Sequence, residues 1–246
     1  MIPTRHTAIV TGAARGIGRG ITRRLLHEGW QVFALDQDAA QLDALEQAMA
    51  GSSGQLHIMT ADTGREPDIE HALSEIAGRT DRLDGLVCNA GIMIRKPIET
   101  LSLDEWNRVL AVNLTGPFLL ARAAAPLLRA AGHAGIVTIG STRAHMSEPD
   151  TESYAASKGG LLALTHALAV SLGPAIRANC ISPGWIDVGH EALRAEDHAQ
   201  HPAGRVGTVE DVAALVTWLL GPESRFVTGA EFIVDGGMTR KMLYIA

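Results

Sequence analysis

The chain has 246 residues, of which 46% are hydrophobic, 4% aromatic and 20% charged, and its formal net charge is −6 at pH 7. This length suits one α/β domain or two small ones, and we expect residues 1–246 to form one; the composition excludes a disordered chain. The acidic balance, without a long basic run, argues against nucleic-acid binding, and we expect no apolar run to span a membrane.

Short β-rich runs alternate along the chain with longer helical stretches. Such alternation predicts a doubly wound parallel sheet with helices on both faces. The predicted strands are Thr7–Val10, Gln31–Leu35, Gln55–Thr60, Leu83–Cys88, Gly135–Ile139, Ile176–Ile181 and Glu231–Val234. The predicted helices are Gly16–Glu28, Ala39–Ala50, Pro67–Gly78, Asp104–Val112, Gly116–Ala130, Ser153–Leu172 and Thr208–Leu220.

A glycine-rich loop separates the first strand from the first helix. Its glycines, Gly12, Gly16 and Gly18, follow the spacing G-x3-G-x-G rather than G-x-G-x-x-G, and Arg15 and Ile17 lie between them. Glycines let the backbone turn tightly and approach a ligand, while the helix start offers free N–H groups to a pyrophosphate. A glycine-rich loop alone is often only a tight turn, but this position favours dinucleotide binding.

The second strand leads to Asp36, eighteen residues after Gly18. An acidic residue at this place accepts hydrogen bonds from the adenosine ribose and repels a 2′-phosphate, so it predicts NAD rather than NADP. Arg15 is the competing signal, because a basic residue in the loop favours a phosphate. Asp38 is predicted to be a helix N-cap. Asp62 follows the third strand, and we interpret it either as a contact to the adenine amino group or as a turn cap.

The chain has only two tyrosines and three lysines, and one of each lies on the same predicted helix. These two residues, Tyr154 and Lys158, are four positions apart. Positions i and i+4 share a helix face, and a nearby ammonium lowers the pKa of a phenol from about 10, which favours acid–base catalysis. Ser141 follows the strand Gly135–Ile139, at the edge where ligands bind in open α/β sheets. The alternative interpretation is a surface Tyr and Lys on an amphipathic helix.

These positions together resemble the short-chain dehydrogenase/reductase family along almost the whole chain. The resemblance implies a single-domain, Rossmann-like fold of about seven parallel strands, with NAD(P)-dependent redox chemistry at a carbonyl or secondary alcohol. It also implies a homotetramer in which the helix carrying Tyr154 pairs with its symmetry mate. The matching positions are Thr11–Gly18, Asn89, Ala90, Gly91, Asn113, Ser141, Tyr154, Lys158, Pro183 and Gly184.

The resemblance also implies a role for each residue of the site. Tyr154 would be the general base in alcohol oxidation and the acid in ketone reduction, and Lys158 would lower its pKa and hold the nicotinamide ribose. Ser141 would bind the substrate oxygen. Asn113 would hold a water that relays protons from Lys158 to solvent, or would be a structural amide inside a helix, where Asn has low propensity.

The same resemblance gives the cofactor contacts. Ile186 would offer its backbone to the nicotinamide carboxamide, and Asn89 would also brace the sheet. The chain departs from the family at Cys88, where many members have Asn, and at Val188, where many have a Thr that contacts the cofactor. The expected cofactor contacts are Gly12, Arg15, Gly16, Ile17, Gly18, Asp36, Asp62, Asn89, Ala90, Gly91, Tyr154, Lys158, Pro183, Gly184 and Ile186.

Polar residues before Tyr154 bear on the substrate. Arg143, His145, Glu148 and Glu152 either line a polar pocket or belong to a solvated loop. They favour a small sugar or polyol. The alternative activities are NADPH-dependent reduction of a 3-oxoacyl thioester and, in another class, a non-catalytic NAD sensor or scaffold.

Three further features complete the sequence predictions. The opening residues lack a signal-peptide core and both cysteines lie in apolar runs, so we expect a cytoplasmic protein with buried free thiols. His198 and His201 are predicted to belong to a surface helix, and we expect no metal site.

The C-terminal residues 242–245 are apolar, although a free tail is usually polar. The tail therefore docks either on its own subunit or on a neighbour, where Arg240 or Lys241 would approach the pocket.

Overall fold

The computed structural model describes residues 5–189 and 192–242. Its strands are β1 Thr7–Thr11, β2 Gln31–Asp36, β3 Gln55–Thr60, β4 Gly85–Cys88, β5 Ala134–Ile139, β6 Ile176–Pro183, β7 Ile186–Asp187, β8 Gly207–Thr208 and β9 Glu231–Val234. Seven of them form one parallel sheet in the order β3-β2-β1-β4-β5-β6-β9, while β7 and β8 form a small separate pair. The predicted Rossmann-like parallel sheet is therefore confirmed.

Helices cover both faces of this sheet. They are α1 Gly16–His27, α2 Ala39–Ala48, α3 Glu66–Ala77, α4 Leu103–Leu110, α5 Gly116–Ala131, α6 Glu152–Leu172, α7 Ala195–Ala199 and α8 Val209–Leu220. The residues Ala111–Thr115 form a π-helical turn that joins α4 to α5 without a break, so the two predicted helices are one continuous helical segment.

The sheet divides the interior into two apolar cores. Successive strand side chains point to opposite faces, so Val10 and Val32 pack in one core with α1 and α8, and Ile9 and Phe33 pack in the other with α3 and α5. All four side chains are fully buried. Full burial of such a side chain is worth about 1.5–3 kcal/mol, so the central strands are fixed by apolar packing on both faces.

The order of the strands creates a crevice at the carboxyl end of the sheet. β1 pairs with β2 on one side and with β4 on the other, both in parallel. The connections that follow β1 and β4 therefore run to opposite faces and leave a gap between them. The glycine loop after β1 and the segment Asn89–Gly91 after β4 border this gap.

The segment between β6 and α8 differs from the prediction. It contains β7, α7 and β8, none of which the sequence indicated. Strands of two residues and a helix of five are too short to produce a hydrophobic period, so local patterning could not reveal them. The pairing of Ile186 with Gly207 instead depends on residues that are distant in sequence.

Two helical segments of the described residues, Leu103–Ala131 and Glu152–Leu172, are long and apolar enough to cross a membrane by length and composition alone. The sequence expectation that no run reaches this threshold is therefore wrong. In the most apolar 18-residue window of the first segment half of the residues are buried, and core helices of soluble proteins pass the same test, so the finding is weak evidence for a membrane. In the corresponding window of the second segment only 28% are buried, and Ala163, Ala167 and Val170 form an exposed apolar face on α6.

The tail hypotheses fall mostly on residues 243–246, which lie outside the described residues. Before them, Met238–Arg240 forms a 3-10 turn. The Lys241 Nζ donates a hydrogen bond to the Gln200 carbonyl of the same chain at 3.3 Å. This contact favours packing on the tail's own subunit as far as Lys241.

Candidate active site

The crevice contains a cleft, called here the glycine-loop cleft, at the carboxyl ends of β1, β2 and β4. Eight of the predicted cofactor contacts line it, together with Val188, the position of the departure from the family pattern, and Arg108, which the sequence did not indicate as a cleft residue. The eight are Gly12, Arg15, Ile17, Asp36, Asp62, Asn89, Ala90 and Gly91.

The glycines of the loop are required by close backbone contacts. Gly12 has φ +60°, and a Cβ there would lie 2.9 Å from the Ala90 Cα and from the Asn89 Nδ2. A Cβ on Gly18 would lie only 2.0 Å from the Gly12 carbonyl oxygen. Any side chain at these positions would push α1 away from β4, so the glycines let the helix start reach the floor of the cleft.

The N-terminus of α1 is left without side-chain caps. Arg15 occupies the N-cap position and makes no capping hydrogen bond, and the first turn contains no acidic residue. By contrast, Asp38 caps α2 by accepting from the Gln41 N–H at 3.1 Å, as predicted. The uncapped N–H groups and the positive end of the helix dipole suit an anionic group, so this helix start fits a pyrophosphate.

Asp36 ends β2 with its carboxylate at the cleft. Its Oδ2 accepts a hydrogen bond from the Ala14 N–H, and its Oδ1 accepts one from the Asp38 N–H, both at 3.1 Å. These two bonds fix the orientation of the carboxylate relative to the glycine loop. A ribose that follows a pyrophosphate at α1 would meet this group.

Asp62 serves as a turn cap and an ion-pair partner in the cleft wall. Its Oδ1 accepts from the Gly64 N–H at 2.9 Å and from the Arg108 Nη2 at 3.1 Å, and its Oδ2 lies 2.9 Å from the Arg108 Nη1. The two parallel contacts form a bidentate pair. Arg108 also reaches the Gln37 Oε1 at 3.5 Å, so it joins the two loops that follow β2 and β3.

Asn89 and Thr11 connect the ends of β1 and β4. The Asn89 Nδ2 donates to the carbonyls of Thr11 and Gly12 at 2.9 and 3.0 Å. The Thr11 hydroxyl accepts from the Asn89 and Ala90 N–H groups, each at 3.1 Å. In the sequence, the only signal for Thr11 is its place at the start of the glycine loop.

Tyr154 and Lys158 lie on the first turns of α6, beside the carboxyl end of β5. Lys158 is only 3% exposed, and its Nζ lies 5.5 Å from the centre of the Tyr154 ring. The Nζ donates a hydrogen bond to the Ile139 carbonyl at 2.7 Å. An ammonium has three donors, so two remain for other groups. Ser141 comes two residues after Ile139, and its Oγ accepts from the Arg143 N–H at 3.1 Å.

Asn113 lies in the π-helical turn and not in a regular helix. It is fully buried; its Oδ1 accepts from the Ile92 N–H at 2.8 Å, and its Nδ2 donates to the Ile92 carbonyl at 2.9 Å and to the Ser157 Oγ at 3.0 Å. A Cβ on Gly91 would lie 3.5 Å from both the Asn113 Oδ1 and the Lys158 Nζ. The amide therefore braces the loop after β4 directly beside the Lys158 ammonium.

A second space, called here the Ser141 cavity, has a volume of about 730 Å³ and adjoins the glycine-loop cleft at Val188, which lines both. Ser141, Arg143 and Glu148 line it, whereas His145 instead pairs with Glu231, with its Nε2 2.8 Å from a carboxylate oxygen. The predicted polar pocket thus includes Arg143 and Glu148 but not His145. Glu152 is exposed at the start of α6.

The remaining predicted cofactor contacts separate into two groups. Gly184 and Ile186 line the Ser141 cavity, while the other five line neither space: Gly16, Gly18, Tyr154, Lys158 and Pro183. Gly16 still has φ +53°, and a Cβ there would lie 3.3 Å from the Val188 Cγ1. Val188 therefore covers the loop as an apolar contact.

The prediction of a surface helix for the two histidines is wrong for His201, which is 3% exposed. Its Nδ1 lies 3.0 Å from the Asp197 carbonyl, and its ring lies 6.3 Å from that of Trp185. No cluster of metal-ligating side chains occurs within residues 5–189 and 192–242. Both cysteines are free and buried, as predicted, and burial raises the pKa of the Cys88 thiol to about 12.

Comparisons with known proteins cover nearly all of this chain. A family model described as enoyl-(acyl carrier protein) reductase matches residues 12–239. An uncharacterized oxidoreductase of Thermotoga maritima is 42% identical over 248 residues, which cover 96% of this chain and 97% of that protein. The D-threitol dehydrogenase of Mycolicibacterium smegmatis is 32% identical over 241 residues, with coverages of 95% and 93%.

The fold has equally extensive matches among solved structures. An apo SCOR enzyme from Clostridium thermocellum superposes with a TM-score of 0.88 at 36% sequence identity. The match covers 98% of this chain and 95% of that one. The similarity therefore includes the strands, the crevice and the helix that carries Tyr154.

Proposed function

The chain belongs to the short-chain dehydrogenase/reductase family of nicotinamide-dependent oxidoreductases, and we propose that it transfers a hydride between NAD(H) and a small secondary alcohol or ketone. The observation that carries this proposal is the buried Lys158 ammonium beside the Tyr154 ring, 5.5 Å from its centre. A buried ammonium favours a nearby phenolate, which is the form that a general base needs.

The proposed cofactor is NAD. Bound NAD would supply the hydride acceptor in alcohol oxidation. The uncapped start of α1 would hold its pyrophosphate, and Asp36 would accept hydrogen bonds from the adenosine ribose while repelling a 2′-phosphate. Arg15 and Arg108 line the same cleft and would attract a 2′-phosphate, but Arg108 is already paired with Asp62.

The proposed proton chemistry uses three side chains. The Tyr154 phenolate oxygen takes the proton of the alcohol in oxidation, and the resulting phenol returns it in reduction. Lys158 would attract the phenolate through its charge and would donate to the nicotinamide ribose with the donors not used by Ile139. Ser141 donates a hydrogen bond to the substrate oxygen, which orients the reacting carbon.

Asn113 has a proposed structural and a proposed relay role. Its three hydrogen bonds support the loop after β4 and the first turns of α6. Its position beside Lys158, across Gly91, suits a water between the amide and the ammonium.

The backbone of Ile186 is the proposed partner of the nicotinamide carboxamide. The Gly207 N–H donates to the carbonyl of Trp185 and not to that of Ile186, so the Ile186 carbonyl is not used by this bond of the β7–β8 pair.

We propose a small hydroxylated substrate of the sugar or polyol type. The walls of the Ser141 cavity carry Arg143, Glu148 and Asp187 among polar and apolar neighbours. The similarity to a D-threitol dehydrogenase supports this class. We further propose a cytoplasmic homotetramer, which the uncovered apolar face of α6 supports.

The second candidate activity is NADPH-dependent reduction of a 3-oxoacyl thioester. The description of the matching family model favours an acyl carrier protein substrate, and Asp36 argues against NADPH. A non-catalytic NAD sensor is the third candidate, and the presence of the complete set of Ser141, Tyr154, Lys158 and Asn113 argues against it.

The test is a screen of secondary alcohols and ketones with NAD and NADP, in which absorbance of the reduced cofactor reports turnover. We expect turnover of polyols with NAD, and a preference for NAD of roughly 100-fold, since like charges in contact cost several kcal/mol. Asp36→Ala should narrow this preference, and Asp38→Ala, which removes a carboxylate two residues away, should not. A wild-type preference for NADP would overturn the cofactor assignment, and no turnover of any compound would favour the sensor.

A further inference from the structure

Three charged side chains meet at the Ser141 cavity and connect two of its walls. Arg143 and Glu148 belong to the loop between β5 and α6, and Arg95 belongs to the loop after β4. The Arg143 Nη2 contacts the Glu148 Oε1, and the Arg95 Nη2 contacts the Glu148 Oε2. One carboxylate is thus shared by two guanidinium groups, and the cluster carries one uncompensated positive charge.

Arg143 is the member of this cluster that is held inside the protein. Its side chain is 22% exposed, compared with 48% for Glu148 and 51% for Arg95. A guanidinium has five N–H donors in a planar fork. Among the described residues, the only side-chain partner of Arg143 is Glu148, which contacts Nη2. Nη1 and Nε therefore remain to bind a ligand.

The charges on the opposite side of the cavity do not neutralise this cluster by contact. Asp235 uses its two carboxylate oxygens to accept from the Gly237 and Thr239 N–H groups, at 2.8 and 2.7 Å. Asp187 accepts from the Gly189 N–H at 2.7 Å. The cavity is therefore polarised, with a basic wall at Arg143 and acidic groups on the wall formed by β7 and the end of β9.

We propose that Arg143 binds a carboxylate of the substrate, so that the enzyme prefers a polyhydroxy acid or the corresponding oxo acid to the neutral polyol. This inference rests on the proposed function. A single carboxylate matches the single uncompensated charge of the cluster and the bidentate geometry of guanidinium. Glu148 holds the Arg143 side chain in its binding position while the cavity contains no substrate.

The location of Arg143 limits the size of the acid. Its backbone N–H donates to the Ser141 Oγ at 3.1 Å, so one short turn carries both the group that binds the carboxylate and the group that binds the reacting oxygen. A short carbon chain between the carboxylate and the carbinol carbon satisfies both. The pKa of the Glu148 carboxyl is lowered by its hydrogen bonds to Arg143 and Arg95, so Glu148 remains ionised at neutral pH.

The test compares threonate with threitol and gluconate with glucitol, each pair differing by a carboxylate in place of a terminal CH₂OH. Isothermal titration into the complex of the enzyme with NADH measures binding without turnover. We expect each acid to bind more tightly than its polyol. Arg143→Met should raise the Kd of the acids by roughly 10- to 100-fold, the size of a charged hydrogen bond, and leave that of the polyols unchanged. Glu148→Gln should lower the Kd of the acids, because it removes the competing carboxylate.

The matched control is Arg23→Met, which removes an exposed arginine of α1 that pairs with Glu210 of α8. It should leave all four affinities unchanged. Failure of the acids to bind more tightly than the polyols, or an equal effect of Arg143→Met on both classes, would overturn the proposal. Erythritol 4-phosphate is titrated as a further anion. If it alone binds more tightly than the polyols, the proposal is also overturned. The alcohol screen with NAD tests the proposed function separately, because these titrations require no turnover.

Discussion

At the scale of single residues, Lys158 connects α6 with the end of β5 and is central to the proposed chemistry. An ammonium that is only 3% exposed has lost most of its hydration, which is costly unless partners replace the water. The Ile139 carbonyl at 2.7 Å supplies one partner, and the face of the Tyr154 ring supplies another favourable contact. The cost of the remaining desolvation makes a bound ribose or a phenolate a favourable third partner.

Replacing Tyr154 by Phe tests its role as acid and base. The Tyr154→Phe variant should lose about 10²- to 10⁴-fold in kcat and still bind NADH, since the hydroxyl acts in proton transfer and the ring is retained. Steady-state kinetics and NADH fluorescence titration measure the two effects. The Lys158→Met variant should instead lose both turnover and affinity for NADH. Normal turnover of Tyr154→Phe would contradict the assignment of the base.

At the scale of secondary structure, α4 shows how one carboxylate fixes the start of a helix. Ser102 accepts from the Glu105 N–H at 3.2 Å, and the Glu105 Oε2 accepts from the Ser102 N–H at 2.8 Å, which completes a capping box. Lys96 donates to the same carboxylate at 2.9 Å. The helix that leads into the π-helical turn at Asn113 is thereby tied to the loop after β4.

The pH dependence of stability should report this cap. The backbone hydrogen bond from Ser102, followed by the hydrogen bond from Lys96, lowers the pKa of Glu105 from 4.5 to about 2. A folded-state pKa below the unfolded value stabilises the fold at pH values above the unfolded pKa, and this stabilisation is lost as pH falls through the folded pKa. Glu105→Gln should therefore lower the thermal midpoint slightly at pH 7, with the difference disappearing towards pH 2.

The control for this experiment is Asp104→Asn, which removes the same charge from the same helical turn without disturbing the capping box. Thermal unfolding followed by circular dichroism between pH 2 and pH 7 compares the three proteins. An equal effect of the two substitutions at pH 7 would show that helix-dipole charge, and not the cap, determines the difference.

At the scale of the whole molecule, α6 is the element that one chain leaves incompletely covered. Its inner side carries Tyr154, Lys158 and the buried Leu161, while Val170 on its outer side is 84% exposed. Exposed apolar helix faces of this length mark interaction surfaces in soluble proteins. The uncovered face therefore supports assembly through α6.

A charge at Val170, near the C-terminal end of this face, should weaken the assembly. Val170→Glu would place a carboxylate in an apolar contact, where burial without a partner is strongly unfavourable. We expect a tetramer for the wild type and smaller species for the variant in analytical ultracentrifugation at micromolar concentration. The matched control is Ile98→Glu, which changes an exposed apolar residue of the loop after β4. An unchanged sedimentation profile for Val170→Glu would contradict assembly through this helix.

The sequence by itself determined the features that depend on residues close together in the chain. The alternation of apolar runs located the seven strands of the main sheet, because each central strand must be apolar on both faces. The glycine loop, the N-cap at Asp38 and the four-residue spacing of Tyr154 and Lys158 are also local, so backbone geometry alone relates them to structure.

Only the tertiary structure decided which distant side chains meet. Arg108 pairs with Asp62 across 46 residues, and Arg95 pairs with Glu148 across 53, and no local pattern records either contact. The burial of His201 and the pairing of β7 with β8 likewise depend on how the segment after β6 packs over the crevice. The residues proposed for the proton transfer are therefore visible in the sequence, whereas the charged residues proposed to select a substrate lie on loops that the sheet brings together.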